Sequence, residues 1–131
     1  MDNEAAIIPV SWGELIDKIT ILEIKSKRLR AERALANVRA ELTLLNAIAA
    51  RGALGRPEVA ALKDRLTAVN EDLWTIEDRI REKESAKAFD AEFIELARSV
   101  YLRNDERSRL KREINICLSS TLVEEKSYSA Y

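Results

Sequence analysis

The chain reads as all-α: an antiparallel hairpin of two long helices plus a third packed helix, a coiled-coil-like three-helix bundle, with an irregular C-terminal tail. Three observations predict this. From Val59 to Ile80 the apolar residues fall at Val59, Leu62, Leu66, Val69, Leu73, Ile76 and Ile80. That three-four alternation keeps one narrow stripe aimed at a partner helix. Leu35, Val38, Leu42, Leu45 and Ala49 repeat the spacing, and a short Gly52 to Gly55 segment followed by Pro57 separates the two stripes.

Residues 1–10 hold Pro9 after Ile7 and Ile8, which predicts an extended arm laid across the bundle as an apolar strap. The first helix is expected over 11–51. Ser11 followed by Glu14 has capping-box spacing, in which hydroxyl and carboxylate each satisfy an unpaired backbone donor. Nothing breaks the pattern before the glycines, so the expectation is a rod of about 60 Å at 1.5 Å per residue. The second helix is expected over 57–88, with Pro57 suited to a first turn whose amide would be unpaired anyway. A short loop then folds the two back on each other, Leu42 beside Leu66 and Leu35 beside Leu73. The third helix is expected over 90–118, capped by Asp90, with Phe89 packing on Ile94. In the tail, 119–131, Leu122, Val123, Tyr128 and Tyr131 have apolar area to bury on a neighbour.

A chain of 131 residues with 47% apolar residues has the size and composition of one soluble domain. Its 22 basic and 23 acidic residues leave a net charge of −1, so nothing draws it at long range to nucleic acid or to an anionic membrane. Arg103, Arg107, Arg109, Lys111 and Arg112 form a basic stretch, but Asp105, Glu106 and Glu113 dilute it and no aromatic residues interleave for base stacking. Nucleic acid is not the expected partner. Histidine is absent, which removes the imidazole base and the commonest transition-metal ligand. Cys117 is the single cysteine, set between Ile116 and Leu118, and reads as a small core residue of a protein in a reducing compartment. No stretch approaches the ~20 apolar residues of a membrane span, and the cytoplasm is the expected location.

The pattern breaks in two places. Between Trp12 and Ile24 the residues Trp12, Leu15, Ile16, Ile19, Ile21, Leu22 and Ile24 cover more than one helix face. A hairpin partner covers one face only. This half is therefore expected to meet the third helix and a second subunit, giving a homodimer through the first half of helix one. In the third helix, Phe93, Leu96, Ala97, Val100, Ile114 and Leu118 mark the inner face, yet its middle brings up Arg103, Asn104, Arg107, Lys111 and Asn115. Cations at core positions need carboxylate partners or water. Glu77 and Glu84, with Arg81 beside them, are the candidates on the second helix; Glu14, Lys18 and Lys25 share a flank of the first, with Asp17 a turn away.

Two readings compete for these residues. In one they are ion-pair layers that fix register in a repetitive bundle. In the other, Arg103, Arg107 and Lys111 hold an anionic ligand, phosphate or carboxylate, with Asn104 orienting it and Glu14, Asp17 or Glu77 as acid, base or metal ligand. Glu14 and Asp17 form an ExxD pair and Glu92 and Glu95 an ExxE pair, a spacing that holds magnesium in all-helical nucleotide pyrophosphatases, although the order there is the reverse. Helical chorismate mutases bind a dianion with arginine, lysine and glutamate, but their motifs are not found in this chain. Magnesium enters only under this alternative; otherwise no cofactor is expected.

The strings IPVSWGELIDKITILEIK (8–25), LWTIEDRIREKE (73–84), FIELARSVYLRNDERSRLKREIN (93–115) and the closing EEKSYSAY together resemble a family of small uncharacterised bacterial proteins, a domain of unknown function. The likeness spans nearly the whole chain and is least distinctive over 45–66. It implies a bacterial origin and a compact helical fold, and it brings no activity, ligand or site. The leading expectation is a non-catalytic interaction or scaffolding module with a protein partner; the alternative is a binding protein or enzyme for a small anionic substrate.

Overall fold

The structure, a computed structural model, describes residues 4–52 and 55–131. Residues 1–3 of the expected arm and Ala53 and Leu54 of the glycine segment lie outside the described residues. Four helices are present: α1 (Trp12–Arg28), α2 (Glu32–Ala49), α3 (Pro57–Ser85) and α4 (Ala91–Cys117). The described residues are all-helical, with no strand.

The expected long first helix is two helices. Leu29 and Ala31 take extended backbone angles, φ −73° and ψ 144° for the first and φ −67° and ψ 125° for the second. Any residue adopts these, so no glycine or proline is needed to stop α1. Lys25, Lys27 and Arg28 stand at its C-terminal end and Glu32 opens α2, charges that suit the two helix dipoles. The break lets α2 double back, so that Ala49, Leu42 and Leu45 pack on Leu15, Ile19 and Trp12. One lost turn of backbone hydrogen bonds costs about 0.5–1.5 kcal/mol per bond. Burying each large aliphatic side chain returns about 1.5–3 kcal/mol.

This overturns the expected three-helix hairpin. Among the described residues α2 packs on α1 alone, so Leu42 does not meet Leu66 and Leu35 does not meet Leu73. The long hairpin is α3 with α4, whose Val59, Leu66, Val69, Leu110 and Ile114 enclose Ile16 of α1. α1 is thus the central rod, with α2 along one side and the α3–α4 pair along the other. Most of the apolar first half of α1 is covered within the chain: Leu15, Ile16, Ile19, Leu22 and Ile24 are buried, and Trp12 and Ile21 are half-buried.

Local signals set the helix starts. Ser11 Oγ accepts from the Glu14 amide at 3.1 Å, and Asp90 Oδ1 accepts from the Phe93 amide at 3.0 Å. The Asp90 carboxyl is held below its ordinary value by Lys83 Nζ at 2.8 Å and by that same amide. Phe89 stacks edge-on against Phe93, closing the α3–α4 turn. Cys117 packs half-buried against the core, and its carbonyl accepts from Arg56 Nη1 at 2.8 Å.

Both ends of the chain differ from expectation. Residues 4–10 do not strap the bundle: Ile7 is 94% and Ile8 71% exposed, because the part of α1 beside them is already enclosed. The tail turns at Ser119, φ 50°, and runs back along α4. Polar contacts hold it, and Leu122, Val123, Tyr128 and Tyr131 remain exposed.

The break generates a prediction. Ala31 already has the φ of proline, so Ala31→Pro leaves the melting temperature unchanged or raises stability by about 0.4–1 kcal/mol. A continuous helix through residue 31 would instead lose about 3 kcal/mol, and a chemical denaturation series separates the two outcomes.

Candidate functional site

A helix packed against three others buries polar residues along with apolar ones, and α1 does so at Asp17 and Thr20, both fully inaccessible. Asp17 is the centre of the network. Arg107 of α4 grips it with two donors on one edge of its guanidinium, Nε to Oδ1 at 2.9 Å and Nη2 to Oδ2. Asn70 of α3 donates through Nδ2 to Asp17 Oδ1 at 2.9 Å and to Thr20 Oγ1 at 2.8 Å. Thr20 Oγ1 in turn donates to the Asp17 carbonyl at 2.7 Å. One buried carboxylate therefore joins three helices. Its hydrogen bond with Arg107 holds that guanidinium above the ordinary arginine range, against the opposing effect of burial.

One turn along α4, Lys111 Nζ lies 2.7 Å from Glu14 Oε2 of α1 and 2.7 Å from Glu124 Oε2 of the tail. Burial works against the charged lysine, but the hydrogen bonds to Glu124 and Glu14 outweigh it and raise the group above its ordinary value. The Glu14 carboxylate is thus engaged across the bundle with Lys111. Here α1 and α4 approach closely: a Cβ on Gly13 would stand 2.4 Å from the Lys111 carbonyl oxygen, so no side chain fits at residue 13. Asn115 Oδ1 accepts from the Gly13 amide at 2.7 Å and fixes that approach.

The structure brings Arg107 and Lys111 together with Asp17 and Glu14, and disperses the other sequence candidates. Arg107 meets Asp17 on α1 instead of Glu77 or Glu84 on α3. Arg103 points out to Asp72 at 3.6 Å and Glu106 at 2.9 Å. Asn104 lines a separate cleft between α4 and the tail, beside Tyr101 and Tyr131. Lys18 and Glu84 are exposed and Lys25 is half-buried. Glu77 and Arg81 pair with each other at 3.5 Å on α3 and border a cleft of about 500 Å³ that Arg107 reaches from the other side. Sequence reasoning missed Thr20, Asn70, Gly13 and Glu124.

Chemically the network is closed. Both Asp17 oxygens already accept hydrogen bonds, and Lys111 is flanked by two carboxylates. Glu92 of the ExxE pair faces Arg79 and Lys83. Among the described residues no three acidic or cysteine side chains converge on a point where a metal ion could sit.

Two predictions follow from these contacts. Arg107→Leu strands a buried carboxylate and lowers stability by about 3–5 kcal/mol, measured by urea unfolding; a change under about 1 kcal/mol would place Arg107 on a solvated face. The second concerns alkali. Because the folded value of Lys111 lies above the ordinary 10.5, its contribution is whole below that pH and is lost as pH rises through the folded value. The Tyr131 hydroxyl, raised by its hydrogen bond to Asp105, titrates in the same sense. The melting temperature accordingly falls above pH 10.5, and less so in Lys111→Met, which is already weakened at pH 7. Equal declines in the two proteins would contradict the assignment.

No curated protein and no solved structure matches the chain. A family match does exist, over residues 7–131, which takes in all four helices, the tail and every member of the buried network. The chain belongs to the family of unknown function DUF6165.

Proposed function

We propose that this protein is a non-catalytic interaction module, self-associating as a homodimer, and that its buried charges serve packing instead of substrate binding. One observation carries this reading: the interior cations are matched by carboxylates of the same chain, Arg107 by Asp17 and Lys111 by Glu14 and Glu124. Among the described residues no buried side-chain nitrogen or oxygen lacks a hydrogen-bond partner. An anionic substrate would have to displace those carboxylates, and freeing a buried carboxylate costs several kcal/mol. Large apolar residues meanwhile face outward, among them Leu44 and Ile48 on α2 and Ile94 and Leu102 on α4. Such side chains are the raw material of a protein interface.

The single thiol, Cys117, supports a reducing cytoplasmic setting, and the bacterial origin implied by the resemblance belongs to the same proposal. No helix among the described residues is long and apolar enough to cross a membrane.

The test is a thermal-shift series with phosphate, sulfate, nucleotides and sugar phosphates, each with and without magnesium. A ligand at 100 times its dissociation constant adds about 2.7 kcal/mol, which moves the melting temperature of a domain this size by several degrees. The reading predicts no saturable shift with any of them. A saturable rise abolished by Arg107→Lys would replace it with the anion-binding alternative.

A further inference from the structure

The tail lies on α4 without being packed into it. Every residue of 121–131 is exposed, and among the described residues no backbone–backbone hydrogen bond joins this stretch to the helices. Its base is fixed, since Ser120 donates to the Asn115 carbonyl at 2.8 Å and accepts from the Trp12 amide at 3.3 Å. Beyond that base, side chains alone hold it. Glu124 takes Lys111 Nζ at 2.7 Å, Glu125 faces Arg112 Nη1 at 3.4 Å, and Tyr131 donates to Asp105 and packs on Tyr101. An extended acidic segment held by exposed charges, with little apolar area buried, is a seated occupant and not part of the core.

The seat carries more positive charge than its occupant answers. Arg109 lines the same cleft as Lys111 and Arg112, yet among the described residues it pairs with no carboxylate. The tail brings Lys126 to this cleft, a like charge, and Lys126 Nζ lies over the Tyr128 ring, 5.5 Å from its centre. A space of about 830 Å³ between α4 and the tail, bordered by Arg109 and Lys126, is left open. A tethered segment competes at an effective concentration of roughly millimolar, so an intruder displaces it only by making contacts the tail lacks. Arg109 offers such a contact.

We propose that the α4 face formed by Arg109, Lys111 and Arg112 is the docking surface for an extended acidic segment of a partner protein, and that the chain's own tail covers it until that partner arrives. The segment resembles the tail in its paired carboxylates and differs at the next position, where a third carboxylate meets Arg109. This rests on the reading of the protein as an interaction module and names the chemistry of what it binds. Lys111 keeps Glu14 when the tail leaves, so the exchange does not disturb the bundle beneath.

Fluorescence anisotropy on the full-length protein tests this, with a labelled peptide copying residues 120–131 and carrying Lys126→Glu as the probe. A host with Glu124→Gln and Glu125→Gln, whose tail is loosened by two exposed ion pairs, binds the probe at least about tenfold tighter than the unaltered chain. Raising sodium chloride from about 50 to about 500 mM weakens that binding. Adding Arg109→Glu and Arg112→Glu to the loosened host abolishes it with helical circular dichroism unchanged, since both side chains are exposed. Lys126→Glu within the chain lowers probe binding below that of the unaltered protein, because the tail then answers Arg109 itself. Equal binding by the unaltered and loosened hosts, or binding that survives the two arginine changes, overturns the proposal. So does tighter binding of a single-stranded oligonucleotide than of the probe, which would make the face a nucleic-acid surface. A dimer in light scattering that the two glutamate changes abolish would make the occupant a second copy's tail, and overturns it as well. No binding by any host overturns it and leaves the interaction-module reading standing, since that reading falls only to a saturable anion shift.

Discussion

The buried carboxylate of Asp17 is the constraint on which the arrangement of this bundle depends. Its helix carries apolar residues on every side and is enclosed by three others, so a charge within it has no route to water. Its oxygens are satisfied there by a fixed cation and a fixed amide donor, supplied together by α4 and α3. Replacing both partners of such a pair together by hydrocarbons is often neutral or stabilising. Its value therefore lies in what it forbids. The stripes of α3 and α4 repeat every seven residues and would pack almost as well after a slip of one heptad. Such a slip along α4 would set Val100 or Ile114 opposite Asp17 where Arg107 now stands.

The neighbouring contacts reinforce that register. Gly13 admits the Lys111 backbone to a distance no other residue allows, and Asn115 ties the two helices together there. Lys111 then extends the lock to the tail through Glu124, and Arg112 faces Glu125 one residue on. The tail stays in place through charge at one end and through Tyr131, hydrogen-bonded to Asp105 and packed on Tyr101, at the other. The Arg112–Glu125 and Tyr131–Asp105 contacts are exposed and contribute little. Salt weakens them well before it reaches the Asp17 network.

Much of the helical content was legible in the residues: the caps at Ser11 and Asp90, Pro57 in a first turn, and polar residues at inner positions of α4. The division of the first rod was not, because Leu29 to Ala31 contain neither glycine nor proline. A subtler signal was present. The stripe of Leu15, Ile19 and Leu22, continued at its own spacing through Ser26 and Leu29, arrives at Arg33 and Ala36, out of phase with Leu35 and Val38. Two stripes out of phase on one helix face different neighbours, and a break between them lets both face the same one. The partner of Arg107 was missed for a related reason. Asp17 looks like a residue beside the flank until α1 is known to be packed by α2, α3 and α4 together, which puts both Asp17 and Thr20 inside.

A double-mutant cycle on Asp17→Asn and Arg107→Leu, read by urea unfolding at neutral pH, tests the central claim most directly. Residues in one buried network couple by about 0.5–3 kcal/mol, whereas independent sites add to within about 0.3–0.5 kcal/mol. The account predicts coupling near the top of that range, with the double variant more stable than Arg107→Leu alone. Additive losses would show that Asp17 and Arg107 do not hold α1 to α4.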